Sequence, residues 1–332
     1  MKRQMPAELS GPNDIPRLDR PAHLPVLLDE VLTWLDPKPG GRYCDGTVGL
    51  GGHARAVLER SAPDGKVIGL DRDPAALEAS NLALQPFGDR VTLVHARFSQ
   101  AREVLDRLGV VAVDGFLVDL GVSSPQLDRP ERGFSFRNDG PLDMRMDPTS
   151  GETAADLLRR IDEEELVQII RNYGEERHAA RVASAIIEAR RAGDLDTTGK
   201  LATLVARAIP RHEYGKNPAT RTFQALRIAV NEELLELDRF LSVAADCLRP
   251  GGRLCVIAFH SLEDRIVKRR LRELAGKDRV RRNVYGGRAD DGEDDRPAVL
   301  KILTKHVVPA SGAERARNPR ARSAHLRAAE RI

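Results

Sequence analysis

The sequence has 332 residues, 41% of them hydrophobic, so the chain can form two domains or one domain with a large insertion. Its formal net charge of +3 does not require a nucleic-acid partner, although it leaves room for local basic patches. Cys44, Cys247 and Cys255 show no C-x-x-C spacing, which argues against a zinc site or disulfide framework and fits a cytoplasmic protein. No apolar run is long enough to span a membrane, and we expect residues 1–21 to be a disordered lead-in.

Strand and helix patterns alternate in the first part of the chain. They predict strands over 42–44, 66–70, 91–95 and 115–119, separated by helices over 54–60, 74–85 and 100–108. This order predicts an α/β protein with a Rossmann-like, doubly wound parallel sheet. A crossover in such a sheet takes about 30 residues, but the next buried strand is predicted only at 253–259. A large segment is therefore inserted after the fourth strand.

The inserted segment has a helical pattern throughout, with helices predicted over 154–158, 163–171, 176–192 and 198–208. An insertion at this point lies over the carboxyl ends of the strands, where ligands bind in open α/β sheets. We therefore interpret 136–218 as an all-helical substrate-recognition domain, and 22–135 with 219–332 as the sheet domain. A cap that only stabilises the fold is the alternative. A later amphipathic run, 222–248, is predicted to be helical, with a core stripe at Phe223, Leu226, Val230, Leu234, Leu237 and Leu241.

A glycine-rich turn, 45–53, joins the first predicted strand to the following helix. Glycines allow a ligand to approach the backbone closely, and a helix N-terminus offers unpaired N–H groups. Asp71 ends the second strand, where its carboxylate can accept hydrogen bonds from both hydroxyls of a ribose. The glycine spacing differs from G-x-G-x-x-G, and the Asp45 carboxylate would repel a pyrophosphate. S-adenosylmethionine, with its ammonium group, suits this turn better than a dinucleotide, which is the second choice.

The segment 119–126 at the end of the fourth strand predicts a second part of the same site. An exocyclic base amine is a weak nucleophile because its lone pair is delocalised into the ring. Hydrogen-bond acceptors around its N–H groups help to localise that pair without a strong base. Ser123, Ser124 and Pro125 are expected to form a stiff loop that offers such acceptors, together with Asp119. An ordinary serine-proline turn is the structural alternative.

From about residue 22 to the end, the chain resembles the MraW family of bacterial ribosomal RNA methyltransferases. The resemblance rests on blocks at 23–28, 45–53, 119–126, 132–136, 142–146, 217–227, 259–265 and 318–324. It implies a class I S-adenosylmethionine-dependent fold and N4-methylation of one cytidine of 16S rRNA, in the decoding region of the small ribosomal subunit. It also implies cofactor contacts from Gly51, Gly52, His53, Asp71, Phe98, Asp119 and Gln126. Departures are confined to the tails and the charged loop 277–297.

Several polar residues are candidates for contacts with the substrate. Arg221 and Arg227 can grip phosphate bidentately, whereas Asp143 and Arg145 can either contact RNA or pair with each other. His260 can shape the base pocket or take up the proton lost after methyl transfer.

Each of these assignments has a structural alternative. A helix cap formed by Ser261 and Asp264 is the alternative for the segment around His260. The arginines at 315–331 predict either a solvated tail or an arm that follows an RNA backbone.

Three functions agree with these motifs. The first is methylation of a cytosine amine in 16S rRNA within the small ribosomal subunit, without a membrane partner or a metal. The second is a non-catalytic RNA-binding or assembly factor that retains the fold. The third is a DNA amino-methyltransferase. The intact glycine turn, Asp71 and the Ser-Ser-Pro segment favour the first. The sequence leaves the oligomeric state open.

Overall fold

The computed structural model describes residues 24–210, 217–277 and 297–332. The predicted lead-in at 1–21 and nearly all of the charged loop lie outside these ranges. The described strands are β1 (Arg42–Asp45), β2 (Lys66–Asp71), β3 (Val91–His95), β4 (Val113–Asp119), β5 (Leu248–Ala258), β6 (Leu300–Ile302), β7 (Val308–Pro309) and β8 (His325–Arg331). They form one sheet in the order β3-β2-β1-β4-β5-β8-β6, with β7 paired to β8. The first five strands are parallel and β8 is antiparallel to its neighbours. The predicted doubly wound α/β sheet is confirmed.

Helices cover the sheet and build the insertion. They are α1 (Leu28–Leu35), α2 (Gly52–Arg60), α3 (Pro74–Leu84), α4 (Ala101–Arg107), α5 (Ser124–Asp128), α6 (Ala154–Arg160), α7 (Glu163–Gly174), α8 (Ala179–Arg191), α9 (Thr198–Ala208), α10 (Thr220–Asn231), α11 (Glu233–Val243), α12 (Ser261–Leu274) and α13 (Gly312–Arg317). No helix of the described ranges is long and apolar enough to cross a membrane.

Both faces of the sheet are buried, which explains why the central strands are apolar without alternation. On β4, Phe116 and Val118 pack into the core that contains α11, whereas Leu117 packs into the opposite core with α1 and α2. The register pairs Asp45 with Leu117, and Asp119 with Ile257 on β5. The carboxyl ends of β1, β4 and β5 therefore meet at one edge of the sheet.

The helical insertion has a core of its own, built from α6 to α10 and including Leu157, Ile170 and Ile186. Phe223 and Leu226 of α10 belong to this core, although the predicted boundary at 219 assigns them to the sheet domain. We propose that the helical domain extends over residues 136–231.

The prediction that one core stripe follows the run 222–248 was wrong. The run divides at Glu232, whose φ of 52° breaks the helix between α10 and α11. Leu237 and Leu241, beyond the break, pack against the sheet instead of the helical core. The left-handed backbone conformation is unfavourable for residues other than glycine. Hydrophobic periodicity alone therefore did not predict the break at Glu232.

The interpretation of the C-terminal arginines as a tail or arm was also wrong for the last of them. Residues 325–331 form β8, which lies between β5 and β6 in the sheet. Arg327 donates from Nε to Asp264 Oδ1 at 2.6 Å, and Ala328 and Ala329 are fully buried. The arginines masked the strand pattern, because their charges are neutralised by partners that are distant in sequence.

Candidate active site

A cleft of about 670 Å³ opens at the carboxyl ends of β1, β2 and β4. Its walls come from the glycine turn, from Asp71 and Phe98, from the start of the segment 119–128, and from the helical insertion. Of the residues predicted to contact cofactor or substrate, those on the wall are Gly52, His53, Asp71, Phe98, Asp119, Ser123, Gln126 and Arg227. The structure therefore brings the two sequence-predicted halves of the site into one cavity.

The glycine turn needs small residues because other parts of the protein approach it closely. A Cβ on Gly46 would lie 2.9 Å from the Cβ of Phe98, and one on Gly52 would lie 2.6 Å from Pro25 Cγ. Gly51 precedes α2 with a φ of 81°, and it does not reach the cleft wall described above. Its predicted contact with cofactor stays a prediction, whereas its backbone conformation has a direct structural reason.

Two carboxylates lie at the ends of β1 and β2, Asp71 on the cleft wall and Asp45 buried beside the glycine turn. Asp71 Oδ2 accepts a hydrogen bond from Gly49 N, and its Oδ1 accepts one from Asp73 N, both at 2.9 Å. Asp45 Oδ1 accepts one from Thr47 N at 3.1 Å. Burial raises the pKa of Asp71 to about 6 and that of Asp45 to about 7. Ionising both carboxylates is therefore costly until a cation or polar ligand compensates them.

Asp119 is the last residue of β4 and contacts the glycine turn that follows β1. Its backbone N donates to Thr47 Oγ1 at 2.7 Å, which ties β4 to the glycine turn. Its Oδ1 is buried without a hydrogen-bond partner among the described residues. Burial, with the charges of Asp45 and Glu263, raises the pKa of Asp119 well above its ordinary value. Asp119 is also a wall residue, and a carboxylate with an unpaired oxygen at this place fits a ligand that brings N–H groups or positive charge.

His53 lies between Asp119 and the N-terminal part of the described chain. Its Nε2 is 2.9 Å from the carbonyl oxygen of Val26. Because a carbonyl only accepts, Nε2 carries the proton of that hydrogen bond. The other ring nitrogen, Nδ1, lies 3.8 Å from Asp119 Oδ2. The imidazole therefore presents a fixed tautomer and orientation at the cleft wall.

The segment after Asp119 is not the predicted loop. Ser123 precedes α5, and Pro125 lies in the first turn of that helix, a position where proline is well tolerated. Gln126 Oε1 accepts from Ser123 N at 2.9 Å, which closes the helix start. Ser123 and Gln126 line the cleft, whereas Ser124 and Pro125 lie behind that wall. The proline therefore stiffens a helix start instead of an open loop.

His260 is a helix cap, but with a different partner from the predicted one. Its Nδ1 accepts from Glu263 N at 3.4 Å, and Glu263 Oε2 accepts from Phe259 N at 2.8 Å. Ser261 and Asp264, the predicted capping pair, instead bind Glu175 and Arg327. Phe259 and Glu263 line the cleft, and His260 lies outside its wall. This placement weakens the assignment of His260 as a proton acceptor.

The predicted substrate residues separate in the structure. Arg145 donates from Nε and Nη2 to both carboxylate oxygens of Asp143, at 2.9 and 2.8 Å, so these two side chains pair with each other. Arg227 makes a matching fork to Glu233, with both distances 2.8 Å, on the inner wall of the cleft. Arg221 is 39% exposed and lies 3.9 Å from Glu176. Of these arginines, only Arg221 has a side chain exposed enough to meet a phosphate.

Sequence reasoning assigned no role to several wall residues, among them Arg137 from the insertion and Phe259 from the end of β5. Phe259 lies in one of the blocks that carry the family resemblance, so that signal pointed to its segment but not to its role. Arg320, also on the wall, belongs to the C-terminal arginines that were predicted to form a tail or an arm along an RNA backbone. Within the described ranges, no group of three or more His, Cys, Asp or Glu side chains is placed to hold a metal ion.

Comparison with known proteins gives a consistent family. A family model described as the MraW methylase family matches residues 20–332. The chain is 54% identical over 314 residues to ribosomal RNA small subunit methyltransferase H of Nitratidesulfovibrio vulgaris (strain DP4), covering 94% of this chain and 96% of the relative. It is 52% identical over 317 residues to the protein of that name from Geobacter sulfurreducens, covering 94% and 99%. The solved structure of TrmN from Thermus thermophilus matches with a TM-score of 0.41 at 14% identity, covering 92% of this chain and 48% of that one.

Proposed function

Because this chain belongs to the MraW methylase family, we propose that it transfers a methyl group from S-adenosylmethionine to the N4 amine of one cytidine in 16S rRNA. The family model and the close relatives support methylation of small-subunit rRNA as the reaction. The base, the nitrogen atom and the location in the decoding region are the finer part of the proposal, and they rest on the family resemblance and on the acceptor groups described below.

The observation that carries the proposal is that one cleft joins a nucleoside-binding half to an acceptor half. Asp71 and the turn before α2 supply the first half, and Asp119, Ser123 and Phe259 supply the second. A methyl donor and a base amine must meet in line at near-contact distance for transfer to occur. A single cavity with both sets of groups on its wall meets this requirement.

The cofactor half fits S-adenosylmethionine on two observations. Asp71 lines the cleft and offers its carboxylate to the ribose hydroxyls, and Gly46, Gly49 and Gly52 bring backbone without side chains to the same wall. When bound, this cofactor supplies an electrophilic methyl group on a positively charged sulfur. The same positive charge favours the ionised forms of Asp45, Asp71 and Asp119, whose pKa values burial has raised.

The acceptor half suits an amine on an aromatic base. The carboxylate of Asp119 on the cleft wall accepts a hydrogen bond from the N4 amino group, which helps to localise the nitrogen lone pair. The ring of Phe259 offers a surface on which a base that has left its stack can lie. Arg137 and Arg320 bring positive charge to the same cleft and suit the phosphates that flank the base. Arg221 remains a predicted RNA contact on the surface of the helical domain.

The proposal predicts that label from methyl-labelled S-adenosylmethionine enters small ribosomal subunits that lack the modification. Nucleoside analysis of the product should give N4-methylcytidine at one position, and double-stranded DNA should stay unlabelled. Asp119→Ala is the matched variant and should bind subunits without transferring label. Label in DNA would identify a DNA amino-methyltransferase. Subunit binding without label in the wild-type protein would identify a non-catalytic assembly factor.

A further inference from the structure

A buried carboxylate behind the cleft wall connects the two halves of the site. Asp73 Oδ2 accepts hydrogen bonds from Gln126 Nε2 at 3.0 Å and from Arg132 Nη1 at 2.8 Å. Its Oδ1 accepts from Ala75 N at 3.1 Å and so caps α3. The backbone N of Asp73 donates to Asp71 Oδ1. One residue is thus bound to the ribose-side acid, to α5 and to Arg132.

Arg132 extends these contacts to the helical insertion. Its side chain is 10% exposed, and its Nη2 donates to the carbonyl oxygens of Arg145 and Met146, each at 3.0 Å. Met146 N in turn donates to Asn231 Oδ1 at 2.7 Å, at the end of α10. A buried guanidinium is costly unless its N–H groups find acceptors. Here one carboxylate and two carbonyls supply them, from segments that are distant in sequence.

We propose that Arg132 is a positioning residue for methyl transfer, acting through Asp73 and Gln126. Through these contacts it fixes the start of α5 relative to Asp71. Ser123, the residue before α5, lines the cleft. Arg132 also fixes the segment that enters the helical domain to the same carboxylate. This inference rests on the proposed function, because positioning has a meaning only when two reactants must be aligned.

The geometry shows why an arginine is needed here. The guanidinium fork reaches Asp73 with one nitrogen and two carbonyls with the other, whereas a lysine ammonium acts as a single point charge and cannot span both. Without the guanidinium fork, Asp73 is held less firmly, and so is Gln126, whose Nε2 donates to Asp73. Gln126 Oε1 in turn accepts from Ser123 N. A displacement of the acceptor groups by about 1 Å lowers a transfer rate by about 100-fold.

The test compares Arg132→Lys with Arg253→Lys. Arg253 is a matched control because it also joins a carboxylate, that of Glu330, to a backbone carbonyl, that of Trp34, but on β5 away from the cleft wall. Single-turnover methylation of small subunits and calorimetric binding of S-adenosylmethionine are measured for both. We expect Arg132→Lys to lower the single-turnover rate by about 100-fold with a much smaller change in cofactor affinity. Arg253→Lys should match the wild type in both.

A second readout does not depend on activity. Hydrogen exchange of the amides at 123–128 should be faster in Arg132→Lys than in the wild type, with no change in α9. Asp73→Asn, which keeps an oxygen to cap α3, should show the same exchange pattern. Rates and exchange equal to those of the wild type, in a folded Arg132→Lys protein, would overturn the inference. A wild-type protein that transfers no label to subunits would overturn the proposed function instead.

Discussion

At the scale of single residues, the carboxylates at and beside the cleft wall have charged forms that are disfavoured before a ligand arrives. Asp45, Asp71 and Asp119 have raised pKa values because burial penalises their charged forms. Such an arrangement favours tight binding of a cation, since the ligand restores the interactions that burial removed. We therefore expect substitutions at these positions to change the stability of the free protein and its affinity for the proposed cofactor in opposite directions.

Asp71→Ala should weaken S-adenosylmethionine binding, because the ribose hydroxyls lose a charged acceptor worth roughly 1.5–3 kcal/mol. The variant also removes the acceptor for Gly49 N and Asp73 N, so the turn loses two hydrogen bonds. Calorimetry measures the dissociation constant. Asp89→Ala, at an exposed position, serves as the control. An unchanged dissociation constant in a folded Asp71→Ala protein would remove Asp71 from the site.

Asp45→Asn should stabilise the cofactor-free protein at neutral pH. The pKa of Asp45 is about 7 in the folded protein and near 3.8 when unfolded, so the folded form binds the extra proton between these values. Stability conferred by the protonated acid is therefore lost as pH rises from about 4 to 7. The asparagine keeps an oxygen for Thr47 N and does not titrate. At about 1.4 kcal/mol per pKa unit, its advantage reaches about 4 kcal/mol above pH 7.

Denaturant unfolding at pH 4 and pH 7.5 checks this prediction. The difference in free energy of unfolding between variant and wild type should be near zero at pH 4 and positive at pH 7.5. A difference that shrinks as pH rises would mean that Asp45 is stabilised in its charged form, contrary to the burial argument.

At the scale of elements, variants at the starts of α5 and α12 distinguish two hypotheses for catalysis. In the first, α5 positions the reactants, and in the second, His260 before α12 acts as the base. Pro125→Gly should loosen the start of α5 and lower the single-turnover rate substantially, while cofactor affinity stays nearly intact, since the glycine turn is untouched. His260→Ala should remove the cap of α12 at a cost of about 1 kcal/mol and keep most of the transfer rate. Rates of both variants across pH decide between them. An active Pro125→Gly enzyme beside an inactive His260→Ala enzyme would make His260 the base.

The junction of α10 and α11 contains a pair whose role differs from that predicted for Arg227. Arg227 is 17% exposed and Glu233 is 9% exposed, so removing one charge leaves the other buried. Arg227→Met should therefore lower the free energy of unfolding by about 3–5 kcal/mol. The double variant Arg227→Met/Glu233→Gln should recover most of this loss. Arg221→Met is the surface control, with a change below about 1 kcal/mol.

Subunit binding separates the two arginines further. Arg221→Met should weaken binding and reduce its salt dependence, as expected for a lost phosphate contact. If Arg227→Met lost affinity without losing stability, Arg227 would be an RNA contact after all.

The sequence predicted the parallel strands β1 to β5 because hydrophobic patterns and glycine turns are local signals, but it did not predict β6, β7 or β8. The turn at 45–53 and Asp71 were placed correctly on one edge of the sheet, since the carboxyl ends of parallel strands coincide. Long-range charge neutralisation was invisible to the same reasoning. Arg327 inside β8 was predicted to lie in a tail or arm because its partner Asp264 is distant in sequence, and the contact of Arg132 with Asp73 had no local signal either.

At the scale of the whole molecule, the cleft is assembled from segments spread over the entire chain. Pro25 lies at one end of the described sequence and Ser323 near the other, and both line the cavity. The C-terminal segment is held there by Asn318 Nδ2, which donates to the Leu24 carbonyl at 3.1 Å, and by Glu314 Oε1, which accepts from Leu27 N at 2.7 Å. The first and last described segments of the chain are therefore held together beside the cleft.

This enclosure predicts that an assembled small subunit is a better substrate than protein-free 16S rRNA. A target base must leave its stack to enter the cleft, which costs a few kcal/mol and requires contacts to the flanking RNA. A fixed ribosomal surface presents those contacts in one arrangement, whereas free RNA must be ordered on binding. We expect kcat/KM to be higher for unmethylated subunits than for the extracted rRNA. Equal values for the two substrates would show that the local RNA sequence suffices, and that the groups around the cleft mouth contact only the target nucleotide and its neighbours.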